Sequence, residues 1–157
     1  MSTVYVNIGS NIGNRRSMLE RAVACIMEIW DNVRVSKVVE SEPWGYESPN
    51  LFLNQGVAFE CNEGDTPMSV HSRLQHIQNM ICAASHRTET GGYADRAIDI
   101  DLIAMGDCVI DTPQLQLPHP RMHLREFVLR PMLELAPEWK HPNLGKTVAI
   151  MLSELSK

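Results

Sequence analysis

The residues best suited to chemistry are two aspartates, Asp99 and Asp101, in the segment Arg96-Ala-Ile-Asp99-Ile-Asp101-Leu-Ile. Alternate side chains of a β-strand share a face, so both carboxylates point the same way, about 7 Å apart at the backbone. The apolar residues that alternate with them point to the other face, toward a core. Two neighbouring acids repel each other, and a divalent cation would remove this conflict. Mg²⁺ suits the pattern because it takes carboxylate, phosphate and water oxygens.

A second segment, from Leu117 to Leu129, adds cationic groups and an aromatic ring: His119, Arg121, Arg125 and Phe127. The planar guanidinium of arginine matches phosphate oxygens with two hydrogen bonds. The two segments together therefore favour a site for a metal and an anionic ligand. Taken alone, the aspartates are more typical of a half-exposed edge strand with an acidic face, and Phe127 taken alone is more typical of a core residue.

Length, charge and cysteine spacing limit the class of protein. The chain has 157 residues, with 14 basic and 19 acidic side chains and a net charge of −5. We expect one domain, 1–157, and the acidic balance disfavours nonspecific binding to nucleic acid. No apolar run approaches the roughly 20 residues that cross a bilayer, so no membrane partner is expected. Four widely spaced cysteines lack the spacing of a zinc or redox site and predict reduced thiols in the cytoplasm.

The first half of the chain alternates strands and helices. Strands are predicted at Thr3 to Ile8, Val33 to Val39 and Phe52 to Glu60, where β-branched and apolar residues predominate. Gly9-Ser10-Asn11 is interpreted as the turn from the first strand into a helix that runs to about Trp30. A second helix is predicted from Thr66-Pro67, a cap followed by a proline at the first helical position, to Ala83 or Ala84.

The second half begins with a loop predicted from Ser85 to Asp95, because this segment has no periodicity and contains a glycine pair. Gly106-Asp107 predicts a tight hairpin that pairs Ala97 to Met105 with Cys108 to Ile110. Short helices are predicted at Pro131 to Ala136 and around Val148 to Leu155. The element order is typical of an α+β fold, a ferredoxin-like split βαβ, with a mainly antiparallel sheet, helices on one face and the other face free for a ligand.

The chain resembles the 6-hydroxymethyl-7,8-dihydropterin pyrophosphokinase family almost from end to end. Five motifs in order carry the resemblance: Tyr5-Val-Asn-Ile-Gly9-Ser10-Asn11, Ser41-Glu-Pro43-Trp44-Gly45, Phe52-Leu-Asn54, Asp95-Arg96-Ala-Ile-Asp99-Ile-Asp101, and Pro118-His119-Pro-Arg121 through Arg125-Glu-Phe127-Val-Leu. The resemblance implies a magnesium-dependent folate-pathway enzyme that transfers pyrophosphate from ATP to a pterin alcohol. Its partners would be these small molecules, and a monomer is favoured.

The resemblance also assigns roles to residues. Asp99 and Asp101 would bind two Mg²⁺ ions that bridge the ATP phosphates, and His119, Arg125 and Arg96 would contact the nucleotide. The residues implied for the pterin pocket are Ser41, Pro43, Trp44, Asn54 and Phe127, with Asn54 on the ring edge and Phe127 stacked on its face.

The loop before the metal strand departs from the family pattern. Arg87 aligns with the first arginine of a loop that closes over both substrates in the family, and a further basic residue is missing here. Two alternatives follow from this departure and from the fold. One is a degenerate homologue that binds pterin or nucleotide without efficient catalysis, and the other is a ferredoxin-like domain that binds a metal and a protein partner.

Overall fold

The computed structural model describes residues 2–84 and 97–156. The strands are β1 (Thr3–Ser10), β2 (Asp31–Val35), β3 (Val39–Ser41), β4 (Phe52–Glu60), β5 (Asp99–Met105), β6 (Ile110–Asp111) and β7 (Gln116–Leu117), and the helices are α1 (Arg15–Ile29), α2 (Pro67–Ala84), α3 (Glu126–Leu135) and α4 (Val148–Leu155), with a 3-10 turn at Met122–Leu124. No helix in these two ranges is long and apolar enough to cross a membrane.

The main sheet has the strand order β2-β4-β1-β5, and β3 also pairs with β4. Every pair is antiparallel. This order, with α1 between β1 and β2 and α2 between β4 and β5, confirms the predicted ferredoxin-like α+β fold.

The two faces of the sheet carry different side chains. Val4, Val6 and Ile8 of β1 belong to the larger core beneath α1 and α2, which also includes Ile100 and Leu102 of β5. The opposite face contributes Tyr5 and Ile103 to a second core with α3 and α4. The prediction that helices cover one face only is therefore wrong, because α3 and α4 cover part of the second face and leave one end of it open.

Local sequence signals place the helix starts. The Asn14 side chain accepts a hydrogen bond from Ser17 N at 3.1 Å and caps α1. At α2, Thr66 Oγ1 accepts from Ser69 N at 3.1 Å, which confirms the predicted cap before Pro67. Trp30 follows α1 and stacks on Phe59, with ring centroids 4.3 Å apart.

The hairpin predicted at Gly106-Asp107 is wrong in its pairing. The chain does turn there, with Cys108 N donating to Met105 O, but Ile110–Asp111 pairs with Gln116–Leu117 rather than with β5. His119 N then donates to Ile103 O at 2.8 Å, so the segment after β7 returns along β5. This return brings His119 to the aspartates of that strand.

Two further boundaries differ from prediction. The strand expected at Val33 to Val39 is split into β2 and β3 at the buried Ser36, whose Oγ accepts from Gly56 N at 2.8 Å. The helix expected from Pro131 begins at Glu126, with Pro131 inside it. Phe127 therefore lies on the first turn of a helix. The predicted loop Ser85 to Asp95 lies outside the described residues.

Candidate active site

A cleft of about 690 Å³ lies on the open end of the second sheet face. Its floor consists of residues aligned across three strands: Gly9 of β1 is opposite both Asn54 of β4 and Asp99 of β5. Two residues earlier on β1, Asn7 is opposite Gly56 and Asp101. Directly opposite residues share a face, so this register alone places Asn54 and both aspartates on one surface.

Gly9 occupies the centre of this floor and does not form the turn that the sequence suggested. β1 continues to Ser10, and α1 begins only at Arg15. A Cβ atom on Gly9 would lie 3.0 Å from Asn54 Oδ1 and 3.2 Å from the Phe52 ring. Glycine is therefore favoured by the close approach of these two side chains from β4 rather than by a turn.

The two aspartates lie on the edge strand β5. Two glutamines of α2 form hydrogen bonds with the backbone N–H and C=O of Ile100, the residue between them. Ile100 N donates to Gln78 Oε1 at 2.7 Å, and Gln75 Nε2 donates to Ile100 O at 3.3 Å. Both glutamines also line the cleft. They fix the backbone that carries Asp99 and Asp101, a role that the spacing of two glutamines three apart on a helix could have signalled.

The donor set of this strand fits Mg²⁺. Asp99 and Asp101 are half-buried, line the cleft and offer carboxylate oxygens to the same space. In the described part of the chain, no group of three His, Cys, Asp or Glu side chains could enclose a metal. Mg²⁺ is usually bound by one or two carboxylates plus substrate phosphates rather than by an all-protein cage, so two aspartates suffice.

Arg125 lies between Asp101 and two aromatic rings. Its guanidinium lies 4.5 Å from the ring centroid of Trp44 and 5.7 Å from that of Phe127, and its Nη1 is 4.0 Å from Asp101 Oδ2. The residue is 7% exposed, and nothing among the described residues forms a hydrogen bond to its Nε. A buried cation with an unused donor is energetically costly, which favours a role in binding an anion.

His119 lies on the same side of the cleft. Its Nδ1 accepts from Arg121 N at 3.2 Å, so the proton of the neutral ring is on Nε2. Burial, followed by the charges of Arg125 and Arg121, lowers the pKa of His119 from 6.5 to about 4. At neutral pH this side chain is therefore an uncharged donor beside two arginines.

Asn54 and Ser41, two of the residues expected around the pterin ring, lie on the β4 side of the cleft, across β1 from the aspartates. Asn54 Nδ2 donates to Ser41 Oγ at 2.7 Å, which fixes the plane of its amide. Asn54 is 2% exposed, whereas Trp44 is 36% exposed. The rings of Trp44 and Phe127 line the same cleft, and Arg125 lies over a face of each ring. A polar amide and two aromatic rings thus border one space.

The structure brings together most of the residues that the sequence singled out. The predicted site residues that line the cleft are Ser41, Trp44, Asn54, Asp99, Asp101, His119, Arg125 and Phe127. Pro43 lies in the same loop but does not line the cleft, and Arg87 and Arg96 lie outside the described residues. The sequence interpretation missed several other lining residues: Asn7, Glu42, Tyr46, Gln75, Gln78 and Gln116.

Comparisons with known proteins agree with this geometry. The model of the family described as 7,8-dihydro-6-hydroxymethylpterin-pyrophosphokinase (HPPK) matches residues 5–137. A 2-amino-4-hydroxy-6-hydroxymethyldihydropteridine pyrophosphokinase from Porphyromonas gingivalis is 36% identical over 144 residues, which cover 90% of this chain and 95% of the relative. The enzyme of the same name from Bacillus subtilis is 35% identical over 136 residues, covering 85% of this chain and 78% of the relative.

Solved structures show the same fold. A Plasmodium falciparum HPPK-DHPS crystal structure superposes with a TM-score of 0.74 at 15% identity and covers 98% of this chain. This chain spans only 43% of that longer protein. Because the family model covers most of the chain and the P. gingivalis relative aligns over nearly its whole length, the chain belongs to the 7,8-dihydro-6-hydroxymethylpterin-pyrophosphokinase family.

Proposed function

We infer that this chain transfers pyrophosphate from ATP to 6-hydroxymethyl-7,8-dihydropterin in folate biosynthesis, which gives the pterin diphosphate and AMP. The family match and the names of the aligned relatives support this reaction. The observation that carries it in the structure is one cleft that has two carboxylates on its β5 side, a polar amide on its β4 side, and a buried arginine in contact with two aromatic rings.

The β5 side of the cleft would hold Mg-ATP. Two Mg²⁺ ions at Asp99 and Asp101 would supply positive charge to the phosphate oxygens. Arg125 and the Nε2–H of His119 would donate to the same phosphates. Because phosphoryl transfer needs positioning and charge stabilisation rather than covalent chemistry by the protein, these groups suffice without a strong general base.

The pterin pocket would recognise the ring through its edge and its faces. The amide of Asn54, which can both donate and accept, would meet the heteroaromatic edge, with Ser41 holding the amide plane. Phe127 would stack on one face of the ring and the loop of Pro43 and Trp44 would complete the pocket. Arg125 lies close to Asp101 and over both aromatic rings.

The loop that contains Arg87, together with Arg96, would add cations to the phosphates when both substrates are bound. This proposal rests on the motif alone, since both residues lie outside the described part of the chain. A cytoplasmic location is proposed because Cys25, Cys61, Cys82 and Cys108 are all free thiols. A single domain, 1–157, acting as a monomer on small molecules also remains a proposal.

The direct test is AMP release from Mg-ATP by the purified protein. AMP should form only when 6-hydroxymethyl-7,8-dihydropterin is present, and chelation of Mg²⁺ should abolish it. ATP hydrolysis that does not depend on the pterin would contradict the proposed acceptor. Pterin or nucleotide binding without AMP would instead support a degenerate binder, and binding of neither would favour the metal-binding interaction domain.

Gly9→Ala should weaken pterin binding. The new Cβ would meet Asn54 Oδ1 at 3.0 Å and the Phe52 ring at 3.2 Å, so the amide must move by a few tenths of an ångström. We expect the KM for pterin to rise about 10-fold, the cost of roughly one hydrogen bond, with little change in the KM for ATP. Gly64→Ala is the control: its φ of +86° makes the substitution strain its own turn, but Gly64 does not line the cleft, so both KM values should stay unchanged. An equal rise in the KM for pterin and in the KM for ATP would contradict a specific displacement of the Asn54 amide.

The lowered pKa of His119 should make stability depend on pH. An unfolded histidine titrates near 6.5, whereas His119 in the folded protein titrates near 4. The unfolded chain therefore takes up a proton between these values that the folded chain does not, and stability falls as the pH drops from about 6.5 to 4. Urea unfolding across this range should show a weaker pH dependence for His119→Gln than for the wild type. An unchanged pH dependence would contradict the assignment, and the exposed His76→Gln variant is the control.

A further inference from the structure

The backbone carbonyl of Phe127 lacks its usual partner within α3. In an α-helix this carbonyl would accept a hydrogen bond from the N–H four residues later. That residue is Pro131, which lies inside α3 and has no N–H. The backbone hydrogen bonds of α3 therefore have a gap at Phe127, the residue whose ring is proposed to stack on the pterin.

Asn7 of β1 fills this gap from the sheet. Its Nδ2 donates to Phe127 O at 3.0 Å, across 120 positions of sequence. Asn7 is 5% exposed, pairs with Gly56 and Asp101 in the sheet register, and lines the cleft. A side chain on the floor of the cleft therefore replaces a bond that the helix cannot make for itself.

Close packing of α3 on the sheet makes this short bond geometrically available. A Cβ atom on Gly56 would lie 2.8 Å from Pro131 Cβ and 3.1 Å from Leu135 Cδ1. The absence of a side chain at Gly56 lets α3 approach the strands at this point. The short amide of Asn7 can then reach the first turn of the helix, where Phe127 begins the stacking surface.

We propose that Asn7 is a positioning residue for pterin binding, which acts by holding the first turn of α3 so that the Phe127 ring faces the substrate. This inference rests on the proposed role of Phe127 in stacking on the pterin. Arg125 is the N-cap of the same turn, but its carbonyl keeps its hydrogen bonds from Val128 N and Leu129 N, its guanidinium keeps its contact with Trp44, and the aspartates stay on β5. Loss of the Asn7 bond should therefore weaken pterin binding more than nucleotide binding.

Titration calorimetry of pterin binding, in the presence of a non-hydrolysable ATP analogue and Mg²⁺, tests the proposal without relying on turnover. Asn7→Ala should raise the Kd for pterin about 3- to 10-fold and change the Kd for the nucleotide by less than twofold. Asn62→Ala is the matched control, because Asn62 Nδ2 also donates to a backbone carbonyl, that of Ile29, at 2.9 Å. It should lower thermal stability and leave the Kd for pterin unchanged.

Pro131→Ala provides a rescue. It restores an N–H at position 131 and keeps the Cβ that meets Gly56, so the Phe127 carbonyl can be satisfied within α3. In this background the effect of Asn7→Ala on the Kd for pterin should shrink to less than twofold. An effect of the same size in both backgrounds would overturn the proposal, as would equal weakening of pterin and nucleotide.

Phe127→Ala separates the two inferences. If it raises the Kd for pterin and Asn7→Ala does not, the positioning role of Asn7 is wrong while the stacking role of Phe127 stands. If neither variant changes the Kd for pterin, the stacking role is wrong and the positioning role with it. Absence of AMP formation in the wild type would overturn the proposed reaction but would leave these binding measurements unaffected.

Discussion

Asp101→Asn is expected to lower kcat by about three orders of magnitude while the melting temperature changes by only a few degrees. The substitution keeps the size of the side chain and removes one negative charge from a proposed magnesium ligand. A loss of about 4 kcal/mol of metal-dependent stabilisation corresponds to roughly 10³ in rate. Stability should change little, because the Asp101 side chain is 34% exposed and its Arg125 partner is 4.0 Å away.

AMP release at saturating substrates, measured alongside thermal unfolding, checks this expectation. Raising the Mg²⁺ concentration should recover part of the lost activity if the carboxylate binds the ion. Asp31→Asn is a suitable control, since Asp31 is exposed on β2 at the opposite edge of the sheet. A large fall in melting temperature with normal turnover per folded molecule would make the aspartate pair structural and the metal assignment wrong.

Arg125→Met is expected to reduce kcat/KM by 10²- to 10³-fold and to leave the melting temperature unchanged or higher. Two charge-assisted hydrogen bonds to phosphate are together worth about 3 to 4 kcal/mol, which gives this range. The stability result follows from burial: Arg125 is 7% exposed, its Nε has no hydrogen-bond partner among the described residues, and its Nη1 lies 4.0 Å from Asp101 Oδ2, a long ion-pair contact. Methionine keeps much of the apolar contact with Trp44 and Phe127 without the buried charge.

Arg125→Lys sharpens the same test, because lysine keeps the positive charge and loses the planar donor geometry. We expect its activity to lie between those of the wild type and Arg125→Met. Arg130→Met, which removes an exposed cation paired with Glu126 on α3, should leave activity nearly unchanged. A clear drop in the melting temperature of Arg125→Met would show that this arginine mainly stabilises the fold.

Local patterns were sufficient to predict the elements and the chemistry of several side chains. The alternation around Asp99 and Asp101 predicted a strand with both carboxylates on one face, and β5 confirms it. Thr66-Pro67 predicted the start of α2 correctly because capping depends only on neighbouring residues. These features are determined within a few residues, so the sequence alone carries them.

Features that depend on distant residues were not predictable in this way. The turn at Gly106 depends on neighbouring residues and was predicted correctly. The partner of Ile110–Asp111 depends on which distant segment packs beside it, and the predicted pairing with Ala97 to Met105 was wrong, because the partner is Gln116–Leu117. Gly9 was interpreted as a turn glycine, whereas its reason is the approach of Asn54 and Phe52 from β4. Helix α3 was predicted too short, because Pro131 normally ends a helix pattern and the side chain of Asn7 replaces one hydrogen bond.

The amino-acid sequence by itself determined the fold class, the aspartate pair and, through its motifs, the family. Tertiary structure decided which residues meet: the register across β4, β1 and β5 places Asn54, Gly9 and Asp99 in one row. It also placed Arg125 between Asp101 and the rings of Trp44 and Phe127, and it lowered the pKa of His119. The physical reason is that strand alternation and helix caps are short-range properties, whereas register, burial and electrostatic environment arise only when segments far apart in the chain pack together.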